Sequence, residues 1–496
     1  MSTPKINKIS IRMYRIGTGD CLLLKFFSEE IVQFKMMIDC GACVGNSERF
    51  TAFIKEIGAD IDNHLDLLVV SHEHLDHIIG FSRAKDEFEK ISIDNVWLAW
   101  TEDPKNRLAN KLRSDYGKHK VALATAIQKM EELVSDADYL VSLKEEYNGN
   151  LVVEGKKKFL DGLHEQWELY HEKEHILLVA EGKISELQRA MDFVKEIHMR
   201  SGNPPHYCYP GTKVPHYPQL NGINFYILGP PENEALLKKD EINDELYDHR
   251  LEFDDSYNFI RALTEDLENR RTNSPFSTDT FYEEGLKKDS KKNFKKKYLD
   301  NPENLWRSIE YDWLTNAGDL AIRLERFMNN TSLAFAIEFE ESEKVLLFPG
   351  DAQSGNWVGW HDKDLKWEKK KGNSTITITA KDLLSKTVFY KVGHHLSHNG
   401  TASVKGLDMM NHPDLIAFAT LDYGNIKPGW KNTMPAPRLF EQLIKKTKGK
   451  MFRIDQGLIT DFNAVEERNK MNSYEMEIFE KSYKVTESYV EININS

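Results

Sequence analysis

Apolar residues in this chain are grouped in two ways, and the groupings predict different elements. Leu65, Leu67, Leu68, Val69 and Val70 form one compact run; Leu346, Leu347 and Phe348 form a second, and Val388, Phe389 and Tyr390 a third. Runs this short read as buried strands. From Asn106 to Met199 the pattern changes. VALATAIQKMEELV (121–134) and ISELQRAMDFVKEI (184–197) place apolar residues at helical spacing among many charges, which predicts several amphipathic helices. The proline- and glycine-rich SGNPPHYCYPG (201–211) then ends the helical stretch and returns the chain to strands. A second stretch, from Glu232 to about Phe327, repeats the helical pattern in EALLKKDEINDELYDHRLEF and DLAIRLERF. The expectation is an α/β chain in which helical insertions at 100–220 and 232–328 interrupt a single domain spanning 1–496.

Composition supports a folded, soluble chain. At 496 residues with 40% hydrophobic content it can bury a large core, and length alone would allow roughly three ordinary domains. No window approaches the run of apolar residues that a membrane span requires, and MSTPKINKIS lacks a signal peptide's apolar region. A cytoplasmic protein with no membrane partner is therefore expected. Four cysteines, Cys21, Cys40, Cys43 and Cys208, do not suggest a disulfide framework. Cys40 and Cys43 form a CxxC, but no second pair accompanies it, so ordinary thiols are expected there.

Chemistry concentrates where the first run ends, in SHEHLDH (71–77). His72, His74, Asp76 and His77 leave one strand within one tight loop and converge on a small volume. Imidazole and carboxylate suit zinc and its neighbours, and so dense a polar cluster after a buried strand needs partners that core packing does not supply. The second run ends in Gly350 and Asp351, and the third in His394 and His395.

The HxHxDH pattern, followed in order by the strand-GD motif in LLFPGDAQ (346–353) and by paired histidines in TVFYKVGHHLSHNG (387–400), resembles the metallo-β-lactamase superfamily. That resemblance implies an αββα four-layer sandwich holding one or two metal ions, zinc or manganese. It implies His72 and His74 on the first ion, Asp76 and His77 on the second, Asp351 bridging, and His395, or else its neighbour His394, completing the second. MYRIGTGDCLLLKF (13–26) and MMIDCGA (36–42) narrow the resemblance to the soluble domain of ComEC-type DNA-uptake proteins, here standing alone, and cast Asp39 as a hydrogen-bond acceptor behind the metal loop. INFYILGPP (223–231) and NNTSLAFAIEF (329–339) are similar to that family's middle strands, and MFRIDQGLI (451–459) to its closing strand. One departure concerns the first ion. Most dinuclear members have a third histidine where this chain has Asn329 and Asn330, so that site would be short of a ligand, take a water, or recruit His206 or His216.

The function this implies is metal-dependent hydrolysis by a metal-bound hydroxide, most naturally phosphodiesterase or nuclease action on nucleic acid or a nucleotide. Asp76 would orient the attacking oxygen, and His398 would give the leaving group its proton, with Lys391 and Ser397 as weaker candidates. No GxSxG elbow points to a serine nucleophile instead. A net charge of -13 opposes a protein that coats itself in nucleic acid. The basic runs GLKKDSKKNFKKKY (285–298) and KKTKGK (445–450), the first with Phe294 and Tyr298 among its lysines, still offer phosphate contacts. Two alternatives remain open: hydrolysis of a small ester or phosphoester, and an interaction subunit of a multi-protein bacterial system, such as antiviral defence, docked through the helical insertions.

Overall fold

The computed structural model describes residues 4–118, 185–239, 241–247, 327–372, 374–426, 431 and 434–496. The chain divides into two units. The first comprises 1–111, 186–250 and 326–496, and the second 112–185 and 251–325. Most of the second unit, including the lysine-rich 285–298, lies outside the described residues.

The first unit is mixed α/β. Its larger sheet runs in the order β18 (Tyr483–Val485), β19 (Tyr489–Asn495), β1 (Lys8–Tyr14), β2 (Leu22–Ser28), β3 (Ile31–Ile38), β5 (Leu67–Val70), β7 (Val96–Ala99) and β8 (His206–Cys208). The other runs β17 (Gly457–Leu458), β16 (Met451–Arg453), β15 (Ile416–Ala419), β14 (Thr387–Lys391), β11 (Val345–Phe348), β10 (Ala334–Phe339) and β9 (Ile223–Gly229). Two short pairs, β4 (His64–Leu65) with β6 (Ser92–Ile93) and β12 (Trp367–Lys371) with β13 (Ser374–Ile378), complete the strands. Both large sheets are mixed. In the first, β3, β5, β7 and β8 are parallel, and in the second β11, β14, β15 and β16 are parallel.

Side-chain alternation explains how the sheets are covered. Ile9, Ile11 and Met13 of β1 share one core with Leu67 and Val69 of β5, and with Phe335, Leu346, Phe389 and Phe418 of the second sheet. The sheets therefore pack face to face. Leu68 and Val70 point the other way, into a core with Ile54 and Ile57 of helix Ser47–Asp60 and Val194 of helix Glu186–Ser201. The outer face of the second sheet buries Leu347 and Tyr390 with Trp357, Leu383, Leu439 and Leu443. A strand buried on both faces needs an unbroken apolar run, which is why β5, β11 and β14 are the runs that stand out in the sequence. The segment resembling a closing strand differs from expectation: MFRIDQGLI is two short antiparallel strands, β16 and β17, turned by a left-handed Gly457 at φ 80°. No helix among the described residues is long and apolar enough to cross a membrane.

Candidate metal centre

Three loops leave the C-terminal ends of parallel strands, and each delivers polar side chains to one place. After β5, the helix Leu75–Arg83 begins inside SHEHLDH with His74 at its N-cap, so Asp76 and His77 occupy its first turn. A carboxylate is favoured there by the helix dipole. After β11, Gly350 takes φ 58°, and a Cβ at that position would lie 3.1 Å from Ser332 and 3.2 Å from Ser71, so both backbone strain and crowding favour glycine before Asp351. After β14, His394, His395 and Leu396 all adopt positive φ, at 45°, 50° and 70°. Three consecutive left-handed non-glycine residues are costly, and such strain clusters where a site holds side chains in place.

Asp76, His77, Asp351 and His395 come together so that one ligand atom from each lies within 4.8 Å of all the others, and all four are buried. His395 Nε2 is 2.9 Å from Asp76 Oδ2 and 3.3 Å from Asp351 Oδ2; His77 Nε2 is 3.1 Å from Asp351 Oδ2. Despite this proximity, Asp76 Oδ1, His77 Nε2 and Asp351 Oδ2 have no hydrogen bond of acceptable geometry. Buried polar atoms are normally satisfied, so three orphans in one cluster of hard and borderline donors match what a divalent ion would fill.

Hydrogen bonds on the far side hold these ligands. His77 Nδ1 donates to Asp39 Oδ2 at 2.8 Å, and Asp39 also accepts from Ser71 N at 2.7 Å and Ser71 Oγ at 2.6 Å. His395 Nδ1 is 2.9 Å from Thr420 Oγ1, which donates to Asp20 Oδ1 at 2.7 Å. Such partners fix the ring orientation of metal-binding histidines. The glycine-bearing turns beneath the loop brace its backbone. Asp20 N donates to Asp76 O, and Cys40 N to His77 O. A Cβ at Gly41 would sit 2.3 Å from the His77 nitrogen, and one at Gly19 2.6 Å from Asp76 O. The GTGD and IDCG segments are thus shaped by close backbone approach.

The other expected site residues lie around this group. His72 Nε2 is 3.0 Å from His74 Nδ1 and 3.2 Å from Asn329 Oδ1, while His394 Nε2 faces Asn329 Nδ2 at 3.3 Å. Of the paired histidines, then, His395 faces the carboxylates and His394 faces Asn329. Ser397 Oγ is 2.8 Å from His394 Nδ1. His398 Nε2 meets Glu241 Oε1 at 2.8 Å, both largely buried. His206 lies beside Trp97, their ring centroids 6.1 Å apart. Sequence reasoning missed Asp20, Thr420 and the position of Cys43, whose Sγ is 3.7 Å from Asp76 Oδ2. Asp20 lay in the GTGD turn and was overlooked for its charge; nothing local marks Thr420.

Charge explains the protonation pattern. Asp20, Asp39, Asp76 and Asp351 are all buried, and among the described residues the buried ammonium that meets them is Lys391, 2.5 Å from Asp20 and 3.4 Å from Asp351. Burial pulls the His395 imidazole down, but Asp351 and Asp76 outweigh it and raise it to about 9. His77 is likewise raised well above the usual histidine range against burial, by Asp351, Asp76 and Asp20. Burial favours protonated Asp76 and Asp351, yet His77 and His395 hold both well below the usual carboxylate range. His72, His74 and His394 are lowered by burial, the last two to about 4, so these rings are neutral. Two imidazolium protons supply the same charge as one dication, which makes the cluster's demand for positive charge one that a divalent ion meets. Comparisons with known protein families, curated proteins and solved structures find no match to this chain.

Proposed function

We propose that this chain is a metal-dependent phosphodiesterase of the metallo-β-lactamase fold, holding zinc or manganese through Asp76, His77, Asp351 and His395 and placing His72 and His74 beside them. The observation that carries the reading is the convergence of three buried atoms without a well-formed hydrogen bond, Asp76 Oδ1, His77 Nε2 and Asp351 Oδ2, within one four-residue cluster. Two face-to-face mixed sheets with helices against their outer faces support the αββα assignment. The substrate class, nucleic acid or a nucleotide, rests on the resemblance to the ComEC-type domain.

When bound, the ion supplies Lewis acidity toward a phosphoryl oxygen and makes an attacking water more acidic. The chain's own groups supply the rest. Asp76 offers Oδ1 to orient the attacking water while Oδ2 is held by His395. Lys391 keeps Asp351 ionised and in place through its contacts to Asp351 Oδ1 and the Gly350 carbonyl. His398, held by Glu241, carries the proton for the leaving oxygen.

Elemental analysis after dialysis, paired with a panel of DNA, RNA and a chromogenic phosphodiester, tests this reading. Bound transition metal is expected near one equivalent, with hydrolysis of at least one substrate, and Asp351→Asn should lose both. A folded, metal-free and inactive chain would end the proposal. A second reading, an interaction subunit docked through the insertions, draws support from Asn329 standing where a third imidazole is expected; metal retention with no hydrolysis across the panel would favour it.

A further inference from the structure

Asp351 and His395 follow the C-terminal ends of β11 and β14, but at the N-terminal ends of β11, β14, β15 and β16 a cavity of about 900 Å³ opens. Its size falls within the range of small-molecule sites. The cavity wall carries seven basic and four acidic side chains, in a chain whose net charge is -13. Four of the cations are already neutralised, Lys8 by Glu30, Arg12 by Glu491 and Asp60, Lys25 by Asp60, and Lys481 by Glu477.

The remaining three are different. Lys344 Nζ donates to Asn495 O and Lys450 Nζ to Pro413 O, both at 3.0 Å, and neither is within ion-pair distance of a carboxylate among the described residues. The Lys448 ammonium has no hydrogen-bond or ion-pair partner among the described residues, its backbone N–H alone donating to Lys445 O. Asp414 and Glu475 also line the wall, but Glu475 is engaged in capping the helix Ser473–Lys481 through Asn472 N. Lys450 is 5% exposed, and with Asp414 and Glu475 attracting it but forming no ion pair among the described residues, its buried ammonium is poorly compensated until an anion arrives. Its acidity fits that position, since burial brings it down to about 8.

The rest of the wall is apolar. Val388, Ile416 and Phe479 form a buried floor, while Tyr474 and Ile478 stand exposed at the cavity. We propose that this cavity binds an organic phosphate of mononucleotide size, with its phosphoryl oxygens among Lys344, Lys448 and Lys450 and its ring against Tyr474 and Ile478. A phosphoryl dianion brings two negative charges and three terminal oxygens to three ammonium groups, and a flat ring uses the aromatic and aliphatic surface that a bare anion would leave exposed to water. This site is separate from the metal cluster, so it stands or falls independently of the hydrolase reading. It also gives a role to the KKTKGK run, whose Lys445 and Lys446 are tied to Glu441 and Asn411 while Lys448 and Lys450 face the cavity.

Calorimetric titration of the full chain with adenosine 5′-monophosphate tests the proposal, with inorganic phosphate as the second probe. Saturable binding of the nucleotide is expected, about tenfold tighter than inorganic phosphate. Lys344→Gln combined with Lys448→Gln should weaken it by about tenfold or more while leaving metal content unchanged. Both side chains are half-buried, so glutamine at either position leaves the core and the buried Lys450 in place. Tyr474→Ala should weaken the nucleotide and leave inorganic phosphate unaffected. Absence of saturable nucleotide binding, equal affinity for the two probes, or binding that survives intact in the double lysine variant would overturn it.

Discussion

His77 Nδ1 and Asp39 Oδ2 are 2.8 Å apart, both side chains fully buried. With Nδ1–H committed to Asp39, His77 presents Nε2 to Asp76 and Asp351. Asp39 itself takes φ 55°, a conformation that asparagine tolerates better than most residues, so Asp39→Asn removes the charge without forcing the backbone. We predict that this variant folds and loses about 10–100-fold in metal affinity. Competition against a chelator measures it, and unchanged affinity would remove Asp39 from the site's design.

Metal uptake should release protons. In the metal-free cluster His395 keeps its proton up to about pH 9 and His77 is raised as well, so an incoming ion competes with both. Because each folded-state value is raised, affinity should climb as pH increases above neutrality, with the His395 share of the rise complete above about 9. Their imidazolium forms also stabilise the metal-free fold: that contribution is full below the unfolded histidine value of about 6.5, the His395 share disappears as pH rises through about 9, and the His77 share is lost as pH rises through its own raised value. Calorimetry in buffers of different ionisation enthalpy should report proton release at pH 7; a heat independent of buffer would contradict the assignment.

How much of this was legible beforehand follows from burial and from sequence distance. β5, β11 and β14 were visible because a strand covered on both faces must be apolar throughout, and the polar residues that end each one are conspicuous for the same reason. SHEHLDH was readable as ligands since its members are close in sequence. Asp39 was placed only through resemblance. The tie from Lys391 to Asp20 and the support of His395 by Thr420 join segments far apart in the chain; the first needs the two sheets packed face to face, and the second needs β14 and β15 laid beside one another. The lysine pair Lys448 and Lys450 was seen as a charge run, whereas the cavity it faces depends on strand ends that no local pattern encodes. The other run, 285–298, lies outside the described residues.

Asn329 separates His72 from His394, at 3.2 Å and 3.3 Å respectively. His72 and His74 are neutral rings already close together, and a third imidazole would complete a three-histidine set of the kind that holds zinc with one open position. Asn329→His should therefore raise bound zinc by up to one equivalent after dialysis, and the gain should vanish when His74 is also replaced. Unaltered stoichiometry in the folded variant would mean that the two rings are not poised for an ion.

Lys450 offers a test of stability away from the metal. Burial dominates its environment and brings the ammonium from 10.5 down to about 8, with Asp414 and Glu475 opposing burial and Lys448 adding to it. A depressed lysine means that the unfolded chain binds the proton more readily than the folded one, so folding loses stability as pH falls from about 10.5 through about 8 and changes no further below that. Lys450→Met removes this dependence and gives up one hydrogen bond to Pro413 O. At pH 7 the variant should be more stable than the parent by about 1–3 kcal/mol, and above pH 10.5 the advantage should disappear or reverse by the value of that bond. Urea unfolding of both proteins across this range reads the difference directly and cancels the other lysines and tyrosines that titrate in both. Parallel stability curves would show that the Lys450 ammonium is not held out of water by the fold.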